Sequence, residues 1–367
     1  MDKRKKKLVK KLIALGVFFV IILMLLPTLT SLVENPPAMA YIRLPEKYIF
    51  EFERTITISA IGTYTLNITI PQNNTFQKVY VSDLSAIPKT VNTDYNRTWW
   101  SYTSSGSTTV TLRYSGETYL KVWDISDSLD VDAIPQNLKT QYDHSEYILD
   151  SNGDKIWVIQ PELFRNIALN ITKGKENVVE KLRAIYDVIV NNFVYEKEKS
   201  GIPKTAVQTW NDKSGDCDEL SFVFVSLARS IGIPAWVEYG LLYTSGTWGG
   251  HAWVGTVVPT KNGLVRVNID LTTEVGDQDL GRGFLIRNPN RLTEWCDDGN
   301  SQHLSSYYRF IYGAYRNLNY NEEVKIIKMQ GEDYKTIPLE DTQIPQWVMA
   351  LIIGIIIIAV VAVIVKW

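Results

Sequence analysis

Two cysteines and three histidines in 367 residues are few enough to weigh one at a time. Cys217 stands in SGDCDELSFVFVSLARSIGIPAW, Ser214 to Trp236, where a loop gives way to apolar residues at helical spacing. A thiol at a helix start meets unpaired N–H groups and the positive end of the helix dipole, and both favour the thiolate. Asp216 and Asp218 flank it and oppose that effect, so a nucleophile here needs a base. His251, in WGGHAWVG, can take the thiol proton and later return it to a leaving amine. Asp270, in VRVNIDLT, stands on an otherwise apolar strand where a lone carboxylate is costly. If the strands of 251 and 270 are neighbours, that carboxylate can fix the imidazole tautomer and stabilise the imidazolium. Singly, these are a core cysteine, a structural histidine and a turn aspartate. In this order within 54 residues they spell acyl transfer through a thioester.

The elements that must position them follow from periodicity. Val178, Leu182, Ile185, Val188 and Ile189 recur at three- and four-residue steps, predicting one helix from about Asn177. A second begins near Cys217, carries Leu220, Val223 and Leu227, and stops at Gly232-Ile-Pro234. Strand-like runs follow: AWVEYGLLY, HAWVGTVVP and GLVRVNIDL. Helix, helix, then antiparallel strands is an α+β order. Earlier, from about 41 to 131, β-branched and aromatic runs alternate with turn residues and break at Gly62, predicting a small antiparallel β-sandwich. Asp150, Asn152 and Asp154 alternate as in a calcium loop, but Gly153 comes two positions early and Pro161 replaces the closing Glu; a β-turn fits better. HLSSYYRFIYGAYRNLNY reads as helix and EEVKIIKMQ as strand.

GDCDELSFVFVSLARSIGIPAWVEYG, followed by GGHAWV and VNIDLT, resembles the transglutaminase-like superfamily over about 178–274. The resemblance implies a papain-like α+β core with Cys217 as nucleophile, His251 as general acid/base and Asp270 as its orienting partner, preceded by a β-domain. It leaves the oxyanion donor open. Gln208 and Trp210, on the loop before Cys217, are candidates beside the Cys217 backbone N–H, and Trp248 and Trp253 are candidates for channel walls. Packing explains each tryptophan equally well. HAW is followed by Val254-Gly255, where many relatives carry an acidic residue, which bears on substrate choice. The animal cross-linking enzymes use calcium; the chain offers neither a matching site nor a zinc ligand set, so no metal or organic cofactor is expected.

Two segments do not belong to a soluble core. Residues 12–33 and 344–365 carry no charge over 22 residues each, enough to cross about 30 Å of hydrocarbon. Lys3 to Lys11 precede the first and Lys366 follows the second, so both ends are expected in the cytoplasm and the rest outside it. A cleaved signal peptide ending at Ala38-Met-Ala40 competes for the first segment, but that site lies over ten residues past the apolar run. Taking the +6 of residues 1–11 and the +1 of Lys366 from a total of −2 leaves −9 between the spans, which gives no reason to expect nucleic acid. Sequons at Asn67, Asn73, Asn96 and Asn170 agree with that topology.

The expected plan is a basic tail 1–11, a span 12–33, a β-sandwich 41–131, a catalytic domain 132–300, an extension 301–341 and a span 344–365. The expected activity is that of a membrane-anchored, extracytoplasmic protease, amidase or transglutaminase acting on envelope proteins or peptides. Two alternatives stay open. The core could serve as a non-catalytic binding or structural module, or Cys217 could be sealed in a disulfide with Cys296.

Overall fold

The computed structural model describes residues 41–197, 202–272 and 283–338. Its compact body runs from Arg43 to Lys335. The expected spans at 12–33 and 344–365 lie outside the described residues, and no described helix is long and apolar enough to cross a membrane.

The strands in chain order are β1 (Tyr41–Ile70), β2 (Gln77–Asp83), β3 (Thr90–Asp94), β4 (Arg97–Tyr119), β5 (Lys121–Val122), β6 (Glu146–Leu149), β7 (Lys155–Ile159), β8 (Val194–Tyr195), β9 (Ser214–Gly215), β10 (Ala235–Thr244), β11 (Thr247–Thr260), β12 (Gly263–Ile269), β13 (Ile286–Arg287), β14 (Arg291–Cys296) and β15 (Ile311–Pro338). The helices are α1 (Gln136–Tyr142), α2 (Pro161–Ile171), α3 (Val178–Asn192), α4 (Ala206–Asp212), α5 (Cys217–Ser230) and α6 (Ser301–Tyr308).

The first region is not the expected sandwich of two short-stranded sheets. β15, β1, β4 and β2 form one antiparallel sheet in that order, with β3 on the N-terminal part of β4. Gly62 does not end the strand. Ile61 and Gly62 are extra residues opposite β4, and pairing resumes at Thr63. Because two residues are inserted, the two-residue alternation is kept: Phe52, Ile56 and Ile58 before the bulge and Tyr64, Leu66 and Ile68 after it are all buried. The expected helix beyond Tyr308 is also corrected. Only Ser301–Tyr308 is helical, and β15 returns to pair with β1, so the extension completes the first sheet. Aromatic density in YYRFIYGAY is common to helices and strands, and only pairing with β1 separates them.

The second core is α+β. α5 is buried from Glu219 to Ser230 and packs on β10 and β11 of a four-stranded antiparallel sheet ordered β12-β11-β10-β14. α5 begins where Glu219, its third residue, reaches back to accept from the Asp216 N–H at 3.1 Å. Gly215 permits this: a Cβ there would lie 2.8 Å from the Glu219 carboxylate and 2.9 Å from the Thr209 methyl. At the other end the helix stops at Ile231, before Gly232 with φ +81°. Arg229, buried in the last turn, donates to the Ala235 carbonyl at 2.6 Å and pairs with buried Glu146 and Asp297.

Candidate active site

Cys217 is the first residue of α5, His251 lies in mid-β11, and Asp270 is one residue past β12. β11 pairs with β12 up to Val254↔Ile269, which brings the continuing chain ends, with His251 and Asp270, side by side. On the other flank His251 faces Gly240 of β10. Gly240 has no side chain for a reason: a Cβ would stand 1.9 Å from the Leu292 carbonyl of β14. Cys217 and His251 both line a cavity of about 370 Å³, with Asp216, Asp218, Tyr239 and Tyr308 among its other walls. The Ala252 backbone N–H, next to His251 in the chain, favours the Cys217 thiolate.

His251 Nε2–H donates to Asp270 Oδ2 at 2.9 Å, and both residues are buried. That bond leaves Nδ1 as the basic nitrogen of the neutral ring. Asp270 is held from several sides. The Thr272 hydroxyl and backbone N–H donate to its Oδ1 at 2.8 and 3.0 Å, and Arg291 Nη2 forms an ion pair with Oδ2 at 2.5 Å. Burial by itself would raise this carboxyl. The Arg291 charge and the hydrogen bonds from His251 and Thr272 outweigh it and hold Asp270 well below the usual carboxylate range.

The nucleophile position is tuned in the opposite direction. Burial, then the carboxylates of Asp218 and Asp216, push the Cys217 thiol well up, against the weaker pull of the Ala252 N–H. The Cys217 sulfur and one oxygen each of Asp216 and Asp218 lie within 4.8 Å of one another. Asp218 is itself driven upward by burial and by Asp216, which shares a hydrogen bond with it, while Tyr308 donates to its Oδ2 at 2.5 Å. Cys217 therefore rests as a thiol, and a base must remove its proton in the step that uses it.

Four other sequence candidates are engaged elsewhere. Gln208 caps α4, accepting from the Thr205 N–H at 2.9 Å while its own N–H donates to the Thr205 hydroxyl. Trp210 packs against Phe164 and Phe193, with the Lys213 ammonium 3.4 Å above its ring. Trp248 is buried against Phe50 and Phe52 of the first sheet. Trp253 is buried and donates to Glu238 at 2.9 Å. None of the four lines the Cys217 cavity. Sequence reasoning missed Arg291, since the local run RLTEW also carries Thr293 and Glu294 and reads as an ordinary mixed strand. It also missed Tyr239 and Tyr308, whose phenols lie 3.4 Å apart at the cavity wall. Both cysteines are free, and Cys296 accepts from Arg266 at 3.0 Å.

Residues 165–269 match the family model of the transglutaminase-like superfamily. The uncharacterized protein YebA of Bacillus subtilis (strain 168) is 30% identical over 146 residues, which are 34% of this chain and 20% of that protein. The match thus spans about a fifth of that relative. Among solved structures, a candidate cysteine protease from Cytophaga hutchinsonii superposes with a TM-score of 0.56 at 16% identity, over 81% of this chain and 96% of that one. That likeness is one of fold. Red sea bream transglutaminase superposes with a TM-score of only 0.30 at 12% identity, over 65% of this chain and 48% of that one.

Proposed function

For a chain whose residues 165–269 belong to the transglutaminase-like superfamily, we propose a cysteine acyl-transfer enzyme acting on protein or peptide amides. One observation carries the reading: a buried, ion-paired Asp270 orients His251 in the same cavity as Cys217. In the proposed step His251 Nδ1 takes the Cys217 proton as the sulfur adds to an amide carbonyl. The carbonyl oxygen becomes an oxyanion facing the Cys217 backbone N–H at the start of α5. The imidazolium, stabilised by Asp270, then protonates the departing amine, and the C–N bond breaks to leave a thioester. Water releases an acid, making the enzyme a protease or amidase; an amine releases a new amide, making it a transglutaminase. The uncharged runs at 12–33 and 344–365, with basic residues on their outer flanks, support a chain tethered by two spans, with this domain outside the cytoplasm and its substrates at the envelope.

The test is mass spectrometry of the full-length protein mixed with a p-nitrophenyl ester of a blocked peptide. The expected result is an acyl adduct on Cys217, absent from Cys217→Ala and formed at least a hundredfold more slowly by His251→Ala. Turnover partitioned by added amine then distinguishes transfer from hydrolysis. Acylation indifferent to His251→Ala would leave the core as a binding module.

A further inference from the structure

A second groove, of about 950 Å³, runs along β3 and adjoins the Cys217 cavity, Asn67 lining both. β3 ends in a two-residue turn, Tyr95-Asn96, with φ of 57° and 54°, the signature of a type I′ hairpin. The closing pair Asp94↔Arg97 is then hydrogen-bonded, and alternation makes Asn92↔Trp99 bonded and Thr93↔Thr98 and Val91↔Trp100 non-bonded. The close Thr93–Thr98 hydroxyl contact, 3.1 Å, agrees. The backbone N–H and C=O of Val91 and Thr93 therefore point away from β4, and no described residue takes them up. Across the groove the β6 edge is treated differently: the Ser301 hydroxyl accepts from the Tyr147 N–H and the Ser305 hydroxyl donates to its carbonyl, each at 3.1 Å.

We propose that the open edge of β3 takes up an extended polypeptide strand and leads it toward the Cys217 cavity. β3 contains no Pro or Lys, the usual means of blunting an edge. Charge in the groove is balanced, with Asp94 and Arg309 its charged walls, so recognition falls on the backbone and on aromatic surface such as Tyr147 and Tyr312. Tyr95, a bulky residue at positive φ, is held by its ring stacked 3.6 Å from His303, which keeps the hairpin tip in place. That the bound strand is a substrate rests on the proposed function; the binding edge itself does not.

The experiment therefore measures binding with catalysis removed. Full-length Cys217→Ala protein is titrated into fluorescein-labelled casein, an unfolded polypeptide, and followed by anisotropy. Val91→Pro and Thr93→Pro each delete an outward N–H that β4 does not use, so the hairpin is retained. Each is expected to weaken binding by about fivefold or more. In the unsubstituted background, casein should slow hydrogen exchange at the Val91 and Thr93 amides, a readout that holds even if a proline variant misfolds. Unchanged affinity in folded variants, or no added protection at those two amides, overturns the proposal. So does a proline-dependent change in self-association by light scattering with casein binding intact, since the edge would then pair with a second copy of the chain. Loss of casein binding with Cys217 acylation intact separates this site from the chemistry.

Discussion

Replacing Arg291 by Gln tests whether the site depends on a charge that lies outside the three catalytic candidates. Asp270 is 1% exposed, and its carboxylate lies 2.5 Å from Arg291 Nη2. At that distance, and an effective dielectric of about 20, Coulomb's law gives roughly 6–7 kcal/mol, before the cost of dehydrating both ions is subtracted. Removing one partner of a buried pair costs about 3–5 kcal/mol. In the native protein Asp270 is depressed, so it contributes stability above the carboxylate range that is lost only as pH falls through that range toward its folded value. Without Arg291, burial becomes the dominant influence and the carboxyl rises above its unfolded value. Its contribution then reverses sign, and stability falls as pH rises through the raised value. Urea unfolding followed by tryptophan fluorescence from pH 5 to 8 reads the stability change. Over the same range, the pH profile of Cys217 acylation reads the chemistry. The acid limb should move up by at least one unit, because it then follows the raised Asp270 carboxyl, whose neutral form cannot stabilise the imidazolium that His251 becomes during acylation. Arg291→Lys should restore part of it. If Arg291→Gln loses less than about 1 kcal/mol and keeps its acid limb, Arg291 does not hold Asp270 ionised.

Asp218→Asn removes the carboxylate that, after burial, most raises the Cys217 thiol. The thiol should fall, and iodoacetamide alkylation of Cys217 at pH 7 should quicken by about tenfold per unit of that fall. Arg229→Met strips buried Glu146 and Asp297 of their cation and should cost about 3–5 kcal/mol in urea unfolding at pH 7. Asp297 is already raised by burial and by Glu146, so part of that loss should return as pH falls and Asp297 protonates. Gly240→Ala would place a Cβ 1.9 Å from the Leu292 carbonyl, parting β14 from β10. It should lower the melting temperature by several degrees and slow Cys217 acylation, since Arg291 opens the strand that moves.

Cys217 at a helix start, His251 on a strand with Asp270 just past the end of the next, and an α+β order were legible in the sequence because each rests on local chemistry. A helix N-terminus, a two-residue period and a costly lone carboxylate can all be read from neighbours along the chain. What stayed hidden was non-local. Arg291 reaches Asp270 through the β10–β14 pairing, which no spacing of residues announces. The one-sheet form of the N-terminal region depends on the two-residue bulge at Ile61-Gly62 and on β15 returning from about 250 residues away. Gln208 and Trp210 lay close to Cys217 in sequence, but a capping bond and an aromatic cluster claimed them. Sequence alone determined which groups could react. Tertiary structure decided their state, with Asp270 ionised and Cys217 protonated, because burial and opposing charge act through space rather than along the chain.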